Sequence, residues 1–204
     1  MHELSKTIFG RLKDSRYLSK YFVGHGVDIG SGPDPLSQYG ELFPLMQSCR
    51  TWDLKDGDAQ LMASVADRAY DFVHSSHCLE HMRDAQAALN NWVRILKPGG
   101  HLVCLVPDED LYEQSVFPST FNPDHKWTLT TYKKKSWSEK SINLFDLIMR
   151  VPEAVEVKKI ELLDATFRHK LSAQVGRRVD QTLTPVGECA IEFILRKSPP
   201  AAAR

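Results

Sequence analysis

The sequence predicts an α/β fold with a largely parallel sheet, on three observations. Strand-like and helix-like segments alternate through most of the 204 residues. The buried stretch "GVDIG" runs directly into glycines where a helix should begin. Between the strand patterns "YDFVHSS" and "HLVCLVP", apolar residues at Met82, Ala85, Leu89, Trp92 and Leu96 recur at intervals of three and four, which is one face of an amphipathic helix.

The elements follow in order. Leu4, Ile8, Leu12, Leu18 and Phe22 form a loosely helical first segment. "GVDIG" is the first strand, and "PLSQYGELFPLMQ" a short helix kinked at Pro44, which lacks the N–H that a helix interior uses. "SCRTWDL" and "YDFVHSS" are strands. The long helix after them ends at "KPGG", where proline cannot continue it and glycine permits a left-handed turn. "HLVCLVP" is a buried strand. Residues 108–131 are irregular, rich in Pro, Asp, Asn and aromatics, and an excursion of that length reads as a functional loop or lid. "SWSEKSINLFDLIMRV" reads as a helix capped by Ser136 or Ser138, with Ile142, Phe145, Leu147 and Ile148 facing the core. "VEVKKIELLD" and "ECAIEFILRK" are the last two strands, either an antiparallel hairpin with a long insertion or separated in the sheet.

Composition narrows the function classes. Lys plus Arg equals Asp plus Glu at 26 each, so no electrostatic footprint for nucleic acid or an anionic membrane exists. The basic clusters Lys133-Lys134-Lys135 and Arg177-Arg178 read as solvated surface. No apolar run reaches a membrane span, and the charged first 22 residues lack a signal-peptide core, so a cytoplasmic protein is expected. Cys49, Cys78, Cys104 and Cys189 are scattered without metal-binding spacing, which fits a reducing compartment.

A strand, then glycines, then a helix start can cradle a dinucleotide, bind another nucleotide-like ligand, or only make a turn. In the G-x-G-x-x-G/A pattern of dinucleotide binders, Gly30 and Gly32 fit, but Pro35 holds the third place. Asp28 lies at the end of the first strand. Asp53 ends the second, 21 residues after Gly32, where an acceptor-only carboxylate suits both hydroxyls of a ribose. A cofactor with one ribose and no pyrophosphate, such as S-adenosylmethionine, matches these acids better than a dinucleotide does. Each feature alone also has a bland reading: a tight turn at the glycines, a loop cap at Asp53.

The ordered motifs "VDIGSG", "TWD", "GDA", "YDFVHSSHCLEH", "LKPGG" and "LVPD" span residues 24–108, and with them the chain resembles the Rossmann-like (class I) S-adenosylmethionine-dependent methyltransferases, most of all small bacterial proteins of the "methyltransferase domain" type. The resemblance implies a mostly parallel sheet with a terminal antiparallel strand. It implies that Asp28, Gly30, Ser31 and Gly32 surround the methionine part, that Asp53 with Leu54 holds the ribose, that Asp58 and Ala59 bind the adenine, and that Ser75, Ser76 and His77 line the methionine amine and the methyl's path. The chain departs from the family at two places: Asp34 stands where many relatives have glycine, and only "LKDG" separates Asp53 from Asp58. The second crossover helix is therefore expected to be missing or reduced, and the third strand missing or vestigial. One methyltransferase domain is expected over 1–198: an N-terminal helical segment (1–23), a cofactor-binding core (24–107), a substrate loop or lid (108–135), and a C-terminal helix and strands (136–198). A disordered tail (199–204) follows.

A sulfonium methyl is already activated, so its transfer needs positioning, and a base only where the acceptor must lose a proton. His77, His81, Asp108 and His125 are within reach of the expected cleft. His77 reads as a pocket wall, and His81 opens the long helix, where a structural role serves as well as catalysis. His125 and Asp108 are the candidate catalytic groups. Aromatics and acids together in 106–127 suit a sugar-like ligand, and acids with His can also hold a divalent metal, although no residue is assigned as a metal ligand. Methyl transfer to oxygen of a small-molecule or glycan acceptor leads. A cofactor-binding partner or scaffold without catalysis is the alternative, and a nicotinamide-dependent oxidoreductase the third reading.

Overall fold

The computed structural model describes residues 3–199. Helix α1 (Glu3–Lys13) is followed by a π-helical turn (Tyr17–Tyr21) and strand β1 (Gly24–Ile29). A 3-10 helix (Leu36–Leu42) leads to β2 (Met46–Trp52), and a loop with one 3-10 turn (Leu54–Asp56) to β3 (Tyr70–Ser76). Helix α2 (Ala85–Arg94) precedes β4 (Leu96–Pro107). The chain then forms β5 (Thr128–Thr130), β6 (Ser141–Asn143), α3 (Leu144–Met149), β7 (Val155–Leu163), α4 (Leu171–Val175) and β8 (Ala190–Lys197).

The main sheet has the order β2-β1-β3-β4-β8-β7. β1 pairs in parallel with β2 and β3, and β3 with β4; β8 is antiparallel to β4 and β7. The last two strands therefore form an antiparallel hairpin with the insertion 164–189. Side-chain alternation splits each central strand between two cores. Leu102, Cys104 and Val106 of β4 pack with α2, whereas Val103 packs with α1 and the π-helical turn through Leu4, Ile8, Tyr17 and Phe22.

No α-helix and no further strand lie between β2 and β3 among the described residues, as the short Asp53–Asp58 spacing predicts. What a helix would satisfy internally is satisfied from outside. The backbone carbonyls of Ala59, Met62 and Val65 accept from Trp92 Nε1 (2.8 Å), Arg94 Nη2 (3.0 Å) and Arg94 Nη1 (2.9 Å) of α2. Asp53 and Asp56 close the first turn as a capping box, with Asp56 Oδ2 accepting from Asp53 N at 3.0 Å.

Several elements differ from expectation. The helix expected over 136–151 is a loop, the short strand β6 and the six-residue α3. Ser136 and Ser138 cap no helix: the Ser136 hydroxyl donates to buried Glu109 Oε1 at 2.8 Å, and Ser138 Oγ accepts from Lys140 N at 3.2 Å. Leu147 and Ile148 are buried and Ile142, in β6, packs against the core as expected, but Phe145 is exposed. The helix before Pro44 is a 3-10 helix that ends at Leu42. The long helix begins at Ala85 rather than Met82, because Asp84 caps it by accepting from Ala87 N at 2.9 Å. The tail expected to be disordered lies, from 200 on, outside the described residues.

Candidate functional site

The site forms at the carboxyl ends of β1, β2 and β3, where open α/β sheets bind their ligands. Gly30 has φ 72°, and a Cβ there would stand 2.5 Å from Cys78 Sγ, so only glycine fits. Gly32 has φ 50°, with nothing but the Gly30 carbonyl oxygen within 4 Å of its Cβ position, so a ligand can approach the backbone closely. The loop is pinned from both sides. Asp34 accepts from Ser5 N at 2.8 Å and Tyr39 OH at 2.6 Å, which ties α1 to it. Asp28 Oδ2 accepts from Leu36 N at 2.7 Å, and Asp28 Oδ1 meets His74 Nδ1 at 2.6 Å.

Asp28 therefore sits beneath the loop rather than around a ligand. It is buried, with each oxygen engaged by the protein. The expectation that it surrounds the methionine part is corrected to a positioning role. Ser75 is likewise buried, its hydroxyl donating to the Ile29 carbonyl at 3.0 Å, and holds β3 to β1.

Asp53, Leu54, Asp58 and Ala59 line one cleft of about 670 Å³ with Trp52 and Gly30. Asp53 Oδ1 accepts from Leu54 N at 2.8 Å, and its side chain closes the capping box with Asp56 at the mouth of the cleft. Leu54 is 95% exposed, an apolar side chain at the cleft's rim. Asp58 caps the next turn by accepting from Gln60 N at 2.7 Å and pairs with Arg83 at 2.8 Å, so the short loop holds its place without a helix.

A second cavity of about 210 Å³ lies between the glycine loop (Ser31, Gly32) and Ser76, His77, His81 and His125. Gly30, His77 and His81 line both spaces, so the two adjoin. Ser76 Oγ is buried without a hydrogen bond, a donor available to a ligand. His77 adopts φ 50° and burial pushes its pKa down to about 3, so the ring is neutral. A larger cavity, about 840 Å³, opens at the opposite edge, beside Gly24, Asp71 and Gly100. It is remote from the glycine loop and from every candidate site residue.

The 108–135 excursion is a folded wall. Buried Glu109 accepts from Lys133 Nζ (2.7 Å), Ser136 Oγ (2.8 Å), Ser141 Oγ (2.5 Å) and Thr128 Oγ1 (3.0 Å). Lys126 N donates to the Glu80 carbonyl at 2.9 Å, and Trp127 Nε1 to the Met82 carbonyl at 2.8 Å. This brings His125 onto the cavity, its Nδ1 2.6 Å from Glu113 Oε1. Asp108 is not brought there. Its Oδ1 accepts from Asp110 N (3.0 Å) and Leu111 N (3.1 Å) as a cap, it lines neither space, and burial lifts its pKa to about 6. Sequence reasoning passed over Glu80 and Glu113. Glu80 lies inside the motif "SSHCLEH", one residue before His81, which was the available signal.

The model of the methyltransferase domain family matches residues 14–146. The chain belongs to this family. Its cofactor is S-adenosylmethionine, and it is an S-adenosylmethionine-dependent methyltransferase with the Rossmann-like fold. No curated protein sequence matches it. Solved structures share its fold at low identity. A methyltransferase dependent on S-adenosylmethionine from Archaeoglobus fulgidus superposes with a TM-score of 0.57 at 18% identity, covering 97% of this chain and 95% of that one. A candidate methyltransferase from Bacillus halodurans C-125 gives 0.59 at 12% identity, with 95% and 100% covered. The chain bound to the Haloferax volcanii Trm112 methyltransferase activator gives 0.56 at 15%, with 95% and 90% covered.

The residues of the methyltransferase fit this cofactor. The two adjoining spaces offer a carboxylate at Asp53, a close-approach backbone at Gly32 and an unpartnered hydroxyl at Ser76. No helix of the described residues is long and apolar enough to cross a membrane.

Proposed function

We propose that this methyltransferase methylates an oxygen of a small-molecule or glycan acceptor. The observation that carries the reading is the cavity of about 210 Å³ joined to the larger cleft at Gly30, His77 and His81. Its size suits one polar ring or a chain end rather than a folded macromolecule. When bound, S-adenosylmethionine supplies a methyl group on a positively charged sulfur. Asp53 holds the ribose, Asp58 and Ala59 the adenine side, and Gly30, Ser31, Gly32, Ser76 and His77 the amino-acid end. A hydroxyl acceptor enters against His81 and His125. A hydroxyl must shed its proton to become a good nucleophile, and His125, oriented by Glu113, presents Nε2 for that purpose. The neutral overall charge argues against a nucleic-acid acceptor.

The test is S-adenosylhomocysteine formation with matched hydroxyl and amine acceptors, saccharides and phenols included. Turnover with a hydroxyl acceptor, lost in His125→Ala, supports the reading. Turnover with amines alone overturns it. Cofactor binding with no turnover on any acceptor favours the non-catalytic partner instead.

A further inference from the structure

Glu80 is a fully buried carboxylate with no hydrogen bond to either oxygen. Three imidazole nitrogens surround its Oε1: His77 Nδ1 and His81 Nε2 at 3.7 Å, and His125 Nε2 at 3.8 Å. These separations are too long for hydrogen bonds. An ionised carboxylate left alone in such a place is costly, and burial pushes its pKa up.

Two of the rings are held from behind. His125 Nδ1 lies 2.6 Å from Glu113 Oε1, and His81 Nδ1 lies 2.9 Å from Asp124 Oδ2. A carboxylate at Nδ1 draws the ring proton there and leaves Nε2 with a bare lone pair. Both Nε2 atoms then face Glu80 Oε1. With the ring protons on Nδ1, two Nε2 lone pairs and a carboxylate oxygen converge on one gap beside His77 Nδ1, and such a gap suits a positive charge. A carboxylate behind the ring is also the regular companion of a metal-bound histidine. The three ligand atoms lie within 4.8 Å of one another. Two atoms each about 2.1 Å from an ion at the tetrahedral angle stand roughly 3.4 Å apart, so closing on an ion takes only small shifts.

We propose that Glu80, His81 and His125 bind one divalent transition-metal ion. Two imidazoles and a carboxylate suit zinc, cobalt, iron(II) or manganese better than magnesium or calcium, which favour oxygen alone. Three protein ligands leave coordination positions open, and His81 and His125 line the small cavity. The site departs from the sequence expectation of no metal ligand. Its role, though not the binding itself, rests on the O-methylation reading. The ion holds the acceptor's hydroxyl oxygen and lowers its pKa. The proton passes to solvent, the oxygen bonds to the methyl carbon, and the carbon–sulfur bond breaks to release neutral S-adenosylhomocysteine. His125 then serves the acceptor through the ion instead of as a free base.

The test uses the full chain stripped with EDTA, titrated with Co²⁺ by visible absorption and with Zn²⁺ by calorimetry. One equivalent of Co²⁺ with ligand-field bands, displaced by Zn²⁺, is expected. Glu80→Gln abolishes the bands, and Glu113→Gln weakens affinity roughly ten- to hundredfold through its grip on His125. Circular dichroism checks folding, and where Glu80→Gln fails to fold, His81→Ala takes its place. No stoichiometric binding by the folded wild type overturns the proposal, as does unchanged Co²⁺ affinity in folded Glu80→Gln. The two readings fail separately. Co²⁺ binding in a protein that methylates only amines removes the O-methylation reading and leaves the site standing. Full-rate hydroxyl methylation by metal-free protein overturns the ion's role and leaves O-methylation standing.

Discussion

Asp28 and His74 face each other in register on β1 and β3, with 2.6 Å between carboxylate and imidazole. The pair heads a buried chain. His74 Nε2 reaches Arg11 Nη1 at 3.3 Å, and Arg11 pairs at 2.9 Å with Glu192 Oε2, while Tyr17 and Lys159 engage Glu192 Oε1. The glycine loop is thereby coupled to α1 and β8. Asp28→Ala leaves Leu36 N and His74 without their acceptor and is expected to cost about 1–3 kcal/mol. Urea denaturation reads the loss, and an unchanged midpoint would sink the positioning role.

Gly30→Ala places a methyl group into Cys78 at a positive φ. Strain of about 1–3 kcal/mol is expected, with S-adenosylhomocysteine binding weakened because the loop must shift. Gly176, at φ 74° with open space around its Cβ position, is the control: Gly176→Ala meets the backbone cost without the clash. Equal melting temperatures for the two variants would contradict the account.

Buried His77 makes stability depend on pH. Its folded pKa is about 3 against an ordinary 6.5, so the unfolded chain binds the extra proton between those values. Its contribution is complete above pH 6.5 and is lost as pH falls toward 3, by at most about 1.4 kcal/mol per pH unit. Asp108, lifted to about 6, runs the opposite way: its contribution is present below pH 3.8 and lost as pH rises through 6. The comparison of His77→Gln with wild type, in EDTA, isolates the first effect. A shallower loss between pH 6.5 and 4 is expected in the variant, and parallel curves would refute it.

Asp108 acts as a cap, so Asp108→Ala is expected to lose about 1–2 kcal/mol. Asp108→Asn keeps the accepting oxygen and loses less. If Asp108→Asn kept its stability but lost turnover, Asp108 would be a catalytic group after all.

The chemistry-bearing strands were legible because they are short, apolar and followed by turn residues. The lost crossover was legible because four residues cannot hold a helix. The helix expected over 136–151 was not: its serines are drawn to Glu109, a partner 27 and 32 residues away for Ser136 and Ser141. Asp28 was misplaced for a related reason. A strand-end acid points toward the cleft by register alone, and only the folded position of His74 shows that it is taken. The meeting of Glu80 with His125 depends on how the 108–135 excursion folds back, which no local pattern encodes.

The most direct measurement is calorimetric titration of S-adenosylhomocysteine into wild type and Asp53→Asn, which keeps an acceptor for Leu54 N but loses the carboxylate. One-to-one binding by wild type is expected, weakened about tenfold or more in the variant, in line with a lost charge-assisted hydrogen bond. Equal affinity in the two proteins, or no heat with wild type, would contradict it.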